Sequence, residues 1–562
     1  MYHASIAFSG EIVPILELAL TLLAALLVLW RPRRLEAWLR RGWRALAAVG
    51  PRRAVLASAL GALLASAATM LWLGFPVPFV TDEHGYLFTA DTFAHGRLTN
   101  PTPRVPVAFE AIHVMVRPSY ATKYPPAPAL PLAAGQLLGH AGIGVCLTAA
   151  LFAAACCWFL QGWLPPPWPL VGAALATLKI GIGSYWGQSY WGGAVTAIGA
   201  FLLYGALPRL FRGHAGAPRL AWAPLALGVF LLANSRPFEG ALAALPAAVV
   251  VAVALARRIR EWWKPAAALT LALATGAALT AAHNRAVTGD PLQLPYRLYV
   301  ATYGVDVLGP YVAPPPPVRY SSPALAFHLA RSAPRPHTAS AAIAAGAGHF
   351  ARMAYFVCGL PLMVFAAFTV RRLPRTPATR WKLFALLCAA LPAAVHSVTA
   401  WWGPHYSAAA TGPLLLLAMT GMRETAGLRW RGRRLGAAFA VWLAFATLLV
   451  RLPLTLVELP AFRPDPDHPS RFLRALEADA ARRSARDLIV VDDRLRRGAE
   501  WVLNPADLAS APILWIQDLG PEVTRQVATA YAPRRVFALE PGEGERALPR
   551  LRPLPELDTP RH

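Results

Sequence analysis

Apolar runs of bilayer-crossing length recur along most of this chain, and no other feature limits its fold as strongly. A transmembrane helix needs about 20 apolar residues, and every backbone group inside the hydrocarbon must be bonded within the protein. Such runs fall at roughly 11–30, 54–74, 140–162, 168–184, 190–207, 221–234, 239–256, 265–283, 344–370, 383–400, 407–422 and 435–455. They are helix-length runs, not the two-residue alternation of a transmembrane barrel strand. The expected fold is an all-α polytopic membrane protein with about twelve transmembrane helices.

Charge gives the runs an orientation. The chain has 562 residues, 15% of them charged, and a formal net charge of +25. A soluble protein this basic would be read as a nucleic-acid binder. Here 56% of residues are hydrophobic and mean hydropathy is +0.42, so no nucleic-acid partner is expected. Residues 1–455 hold 38 Lys/Arg against 12 Asp/Glu, and residues 456–562 hold 16 against 17. Within the first part the cations cluster between runs. The clusters are RPRRLEAWLRRGWR with Arg52/Arg53, then Arg209/Arg212/Arg219, Arg257/Arg258/Arg260/Lys264, Arg371/Arg372/Arg375/Arg380/Lys382, and Arg423/Arg429/Arg431/Arg433/Arg434. Short loops rich in Lys and Arg stay cytoplasmic. With twelve crossings every cluster falls inside, and segments 75–139, 187–193, 234–240, 284–343, 401–406 and the tail after 455 fall outside. Residues 126–162 are long enough for two spans. Parity favours one crossing preceded by an apolar segment at the outer interface, since two would invert every later basic loop. No basic region precedes the first run, so 11–30 reads as a retained span, not a signal peptide. All five cysteines lie in expected spans, so no disulfide framework is implied. Abundant Arg and Ala with little Lys fits a GC-rich bacterial genome, and hence a bacterial inner membrane.

The chain divides into a transmembrane domain, 1–455, and a small extracytoplasmic α/β module, 461–562. The first carries two long external insertions, 75–139 and 284–343, the second of these including the proline run 314–317. The module reads as helix (PSRFLRALEADAARRS), strand (DLIVVDD), strand (PILWIQD), helix (PEVTRQVATAYA) and strand (RRVFALEP). It has neither a P-loop nor a dinucleotide fingerprint.

The first external loop holds the most informative residues. Thr81-Asp82-Glu83-His84-Gly85-Tyr86 follows a span directly. The plainer reading is a capped, solvated amphipathic helix, YLFTADTFAHG. Further on, Tyr120-Ala121-Thr122-Lys123-Tyr124-Pro125-Pro126 leads back toward the membrane. A cation before a double proline at that point fixes a positive charge at headgroup depth, where a lipid phosphate sits. A snorkelling interfacial anchor is the plainer alternative.

An Asp-Glu pair after an early span, followed by Lys-Tyr-Pro-Pro before the next, resembles the GT-C membrane glycosyltransferases. These include protein O-mannosyltransferases and bacterial lipid A aminoarabinose transferases. The resemblance is strongest over 54–240, and the tail has no clear counterpart. It implies a polyprenyl-phosphate-linked sugar as donor partner, membrane lipid around it, and an extracytoplasmic active site. It also implies Asp82 as the catalytic carboxylate, Glu83 as the second acid of the motif, and Lys123 as a donor-phosphate ligand. His84 and the Ala-rich later spans depart from the pattern, leaving open the sugar and an acceptor that is a glycan, lipid or protein.

The chemistry asks for little else. A lipid phosphate leaves as an anion, so one base is enough to deprotonate the acceptor hydroxyl. Cations then stabilise charge growing on the phosphate. Arg236, Arg285 and Arg352 are external candidates. Lys179 lies inside a span near its outer end, so it needs a partner or a cavity. Tyr86, Tyr120, Tyr124, Gln188, Tyr190, Trp191, Trp401 and His405 are candidates for a sugar- or acceptor-binding wall, or for an interfacial aromatic belt. No cofactor is required. A divalent metal stays open, with Glu83 and His84 as donors, but without a ligand spacing that defines a site. Asp492, Asp493, Asp518 and Glu540 end expected strands and read as turn and cap residues. Two other functions fit the residues alone: a twelve-span transporter or lipid flippase, and a non-catalytic GT-C-like binding protein.

Overall fold

The computed structural model describes residues 15–23, 26, 33–78, 80–212, 219–304, 319–323, 325–326, 338–373, 379–395, 402–430, 433–434, 436–463, 469–484, 486–497, 500–542 and 548–557. Trp401 and the 314–317 proline run lie outside these residues, as do parts of the first and tenth expected spans.

Among the described residues, seven helices are long and apolar enough to cross a membrane: Pro51–Leu73, Ala141–Trp163, Ala194–Phe211, Pro237–Arg257, Trp262–Thr288, Ala339–Arg371 and Gly436–Phe462. Trp168–Ile182 and Ala221–Ala233 are shorter apolar helices, and Thr379–Val395 and Thr411–Glu424 pack among the others. Each expected run therefore contains helix. The chain is a multi-pass membrane protein.

Local chemistry sets the boundaries. Pro51 opens its helix in the first turn, where a missing N–H costs nothing. The His140 ring accepts the Gly142 N–H at 3.0 Å and starts Ala141–Trp163. Before it, the apolar segment expected at the interface is the nine-residue helix Ala129–Leu137, too short to cross. The expected cytoplasmic connection after the first span holds an amphipathic helix, Arg33–Ala47. Its Trp43 sits edge-on to Trp168 at 4.9 Å.

The stretch Pro237–Thr288 is helical throughout, yet it is not one straight rod. A straight helix would carry Thr280 about 65 Å from Pro237. Instead the Asn234 amide, just before Pro237, donates to Thr280 Oγ1 at 2.9 Å. Trp262 packs against Trp222 and Phe211, near the far ends of the neighbouring helices. The chain thus reverses near Arg257–Trp262, where the sequence places its third basic cluster.

The C-terminal module is a four-stranded sheet in the order Ile513–Gln517, Asp487–Val491, Arg535–Glu540, Arg550–Pro553. The first three strands are parallel, with Ile489 opposite both Trp515 and Phe537. The fourth, which the sequence pattern did not reveal, is an antiparallel edge. Strands Asp487–Val491 and Ile513–Gln517 are buried at every position, which fits their largely apolar sequence. The cover is partly the segment 75–139 between the spans: Phe88, Phe109 and Tyr120 share one core with Leu488, Trp515 and Ile516.

One expectation is extended. The sequence reading singles out Lys179 as the charge inside a span that needs a partner, and the structure adds a second, buried cation. Arg451, only 1% exposed, lies within 3.7 Å of Glu17 from the first span and pairs with Glu458 at the end of its own helix. A buried charge is tolerated when partners meet it, and sequence alone does not reveal partners this far apart.

Candidate functional site

The Thr81–Ala94 helix begins just past the end of the Pro51–Leu73 span, and Asp82 lies in its first turn. Helix N-termini favour negative charge. Glu83, with 0% exposure, is used structurally. One carboxylate oxygen accepts the Val80 N–H at 3.2 Å and the other accepts the Tyr190 N–H at 3.0 Å. It fixes the start of the helix and ties it to the 185–191 turn. A Cβ on Gly85 would lie 2.6 Å from the Tyr124 ring, so glycine here lets the helix settle on Tyr124. The Tyr124 hydroxyl then donates to Asp82 Oδ1 at 2.7 Å.

Asp82 keeps 27% side-chain exposure, and cationic or donor groups surround it. Burial raises its carboxyl. Its neighbours His113, Lys123, Tyr124 and His405 outweigh this and hold it below the ordinary 3.8. His113 Nε2 is 3.8 Å from Asp82 Oδ2 and 3.2 Å from Thr81 Oγ1. Burial, helped by the Lys123 charge, brings the His113 imidazole down to about 3, so the ring is neutral. Its backbone is left-handed, with φ +69°, in the small region that non-glycine residues rarely occupy.

Lys123 follows the short antiparallel pair Val114–Met115 and Ala121–Thr122, and its N–H donates to the His113 carbonyl at 3.0 Å. The ammonium is caged by tyrosine rings: Tyr299 at 4.9 Å, Tyr124 at 5.4 Å and Tyr296 at 5.6 Å. It makes no ion pair or hydrogen bond with another described residue. Burial brings it down to about 8, against the pull of Asp82.

The other loop turns close around this pair. Arg236 stacks on Tyr406 at 4.4 Å and lies 4.0 Å from Glu239. Burial opposes its charge, but Tyr86, Glu239, Tyr406 and Asp82 raise it above the ordinary value. Tyr86 stacks on Tyr124 at 4.5 Å. His405 Nδ1 is 2.8 Å from the Tyr185 hydroxyl, and its ring meets Trp191 at 4.5 Å. Arg352 is exposed and lies over Trp402 at 5.0 Å, beside the same turn.

Other sequence candidates lie elsewhere. Tyr120 is in the core shared with the module. The Tyr190 hydroxyl donates to the Pro76 carbonyl, and the Gln188 amide to the Ile182 carbonyl, so both brace turns. Arg285 is exposed in the last turn of its helix, where a cation suits the helix dipole. Lys179 sits on a π-helical turn over Tyr355, near the Arg451 cluster and not near Asp82. Among the described residues no three His, Cys, Asp or Glu side chains converge as metal ligands. Asp492 pairs with Arg494, Asp518 caps Gly520, and Glu540 pairs with Arg552. Sequence reasoning missed Tyr296, Tyr299 and the hub position of His113. The tyrosines occupy the Pro295–Tyr303 helix of the second loop, and only its aromatic density marked them.

Fold and site together define a multi-pass membrane protein whose loops gather one anionic carboxylate, several cations and a ring of tyrosines beyond the span ends. No family model and no curated protein matches the chain. Among solved structures it is similar to two crystal structures of ArnT from Cupriavidus metallidurans. The apo state is 12% identical, covers 89% of this chain and 98% of that one, and has a TM-score of 0.49. The state bound to undecaprenyl phosphate is 13% identical, covers 86% and 92%, and has a TM-score of 0.45.

Proposed function

We propose that this chain is an integral-membrane glycosyltransferase of the GT-C kind, moving a sugar from a polyprenyl-phosphate donor to an acceptor hydroxyl outside the cytoplasm. The observation that carries the reading is the Asp82 site. A carboxylate below its ordinary range lies 27% exposed at a helix start, with Lys123 and Arg236 close enough to act on it.

The donor phosphate sits between Lys123 and Arg236. Among the described residues Lys123 has no anionic partner hydrogen-bonded to it, and its tyrosine cage favours the charged form at neutral pH without neutralising it. Asp82 accepts the acceptor's proton as the oxygen attacks the anomeric carbon. The bond from that carbon to the phosphate oxygen breaks, and the electron pair leaves with the phosphate. No acid is needed on the leaving group, unlike in glycoside hydrolysis. The cations stabilise the added charge. Tyr124 holds Asp82 in place, and Tyr86, Trp191 and His405 line the sugar or acceptor side. Glu83 positions the helix. The reading assigns the protein to a bacterial inner membrane, with the site and the module facing outward.

The buried Glu17–Arg451–Glu458 group is the one observation that favours a transporter, since transporters keep ionisable groups within their spans. Here the cation and carboxylates already pair with one another, as a structural cluster does.

The test is a membrane assay with labelled polyprenyl-phosphate sugars. Asp82→Asn is expected to lower transfer by at least about a hundredfold, the scale of a lost general base, while expression and span insertion are unchanged. Full activity in that variant overturns the assignment.

A further inference from the structure

The transfer reaction above uses no residue of the C-terminal module, yet the module is built into the loop that carries Asp82. Phe88, on the Asp82 helix, is part of the module's core. Asp91 on the same helix accepts the Ala506 N–H at 2.7 Å. Gln517 donates to the Val107 carbonyl. The most directed contact comes from Glu500, 7% exposed. Its Oε1 accepts the N–H groups of Trp501 and Val502, at 3.0 and 2.9 Å. Its Oε2 crosses to the loop and accepts the Ile112 N–H at 2.9 Å.

The residue after Ile112 is His113. Its left-handed backbone persists only where the surroundings over-determine it. Three bonds do so here. Ile112 N–H is held by Glu500, His113 N–H donates to the Tyr299 hydroxyl at 3.3 Å, and the His113 carbonyl accepts the Lys123 N–H at 3.0 Å. That last bond couples the backbone turn to the phosphate-binding cation, while the His113 ring faces Asp82. The module supplies the first of the three through a charge-assisted bond, about twice as strong as a neutral one.

We propose that Glu500 is a positioning residue for the Asp82–Lys123 site, and that the module serves as an intramolecular clamp on the catalytic loop. The proposal rests on the reading of Asp82 as base. The clamp acts through Ile112 and His113, and so sets where His113 and Lys123 stand relative to Asp82. No other residue of the module hydrogen-bonds the backbone at Ile112 or His113 among the described residues.

The experiment compares Glu500→Ala, Glu500→Gln and Arg104→Ala in the full-length chain in detergent. Arg104 donates to the Ala530 carbonyl at 2.8 Å, elsewhere on the same docking face, and serves as the control. Two quantities are read. The first is amide hydrogen exchange of peptides covering residues 108–124. The second is kcat/KM against pH with a polyprenyl-phosphate sugar. Loss of a hydrogen bond to a buried charged group predicts exchange about 10–100-fold faster over 110–124 in Glu500→Ala. Glu500→Gln keeps one acceptor oxygen and is expected to fall between that variant and wild type. It also preserves a readable protein if Glu500→Ala fails to fold. The groups facing Asp82 are His113, Lys123, Tyr124 and His405, with Tyr86 and Arg236 behind. Loosening the first two moves the acid limb of the profile toward higher pH. Arg104→Ala is expected to move neither reading within 108–124. Wild-type exchange in both Glu500 variants, or an equal shift of the acid limb in Arg104→Ala, overturns the proposal. If wild type transfers no lipid-linked sugar, the reading of the reaction fails, and the exchange readings alone decide the clamp.

Discussion

Lys123 gives the sharpest test, because one group pushes activity and stability in opposite directions. Burial lowers its ammonium from the ordinary 10.5 to about 8. That depression corresponds to about 3 kcal/mol of cost in holding the charge at neutral pH. The unfolded chain binds more protons than the folded chain between about 8 and 10.5. The contribution of Lys123 to stability therefore rises with pH across that window. Activity behaves oppositely, since only the ammonium binds phosphate. The kcat/KM of wild type is expected to fall about tenfold per pH unit above about 8. Bound phosphate restores the ammonium, so the limb in kcat lies higher than the limb in kcat/KM. Lys123→Arg keeps its charge throughout and still stacks on tyrosine faces, so the limb near 8 should vanish. Lys123→Met should lose about 10–100-fold in kcat/KM, the scale of one charge-assisted hydrogen bond. The assay is transfer from labelled lipid-linked sugar in proteoliposomes between about pH 6 and 10, with thermal unfolding run in parallel. A wild-type profile flat to about pH 10, or a limb near 8 that survives in Lys123→Arg, refutes the reasoning.

Tyr124→Phe removes the 2.7 Å bond to Asp82 and should raise the acid limb of kcat/KM while lowering its plateau about tenfold, read from the same pH series. Arg451→Met leaves Glu17 and Glu458 without their buried cation and should cost about 3–5 kcal/mol in detergent unfolding, partly recovered when Glu17→Gln is added.

The spans were legible because hydropathy is a local property, and even the hairpin hidden in Pro237–Thr288 was marked by its basic cluster. Asp82 and Lys123 were legible as a pair because both sit where the chain meets the membrane, and topology puts those points on one face. Arg236 and His405 followed from the same topology. Glu83 came in through the resemblance, as the second acid of the motif, and the sequence did not show that its two oxygens accept the backbone N–H groups of Val80 and Tyr190. Tyr296 and Tyr299 reach Lys123 from across the second loop, and no spacing rule links residues so distant. Arg451 did carry a signal, being a lone charge in an apolar run, the same signal that singled out Lys179, and Glu17 carried a weaker one, since Glu11 shares its run.

The core shared by the first loop and the module also has a consequence for biosynthesis. Ile112 waits for Glu500, which lies 388 residues later. At about 5–20 residues per second, the ribosome needs about 20–80 s to supply it. Throughout that interval Phe88 and Phe109 lack the strands they pack on, and the Asp82 helix is held by its membrane neighbours alone. A nascent chain with most of its helices inserted therefore still lacks the contact that fixes the Ile112–His113 turn. That turn is completed only when residue 500 has been made and has docked on the first loop.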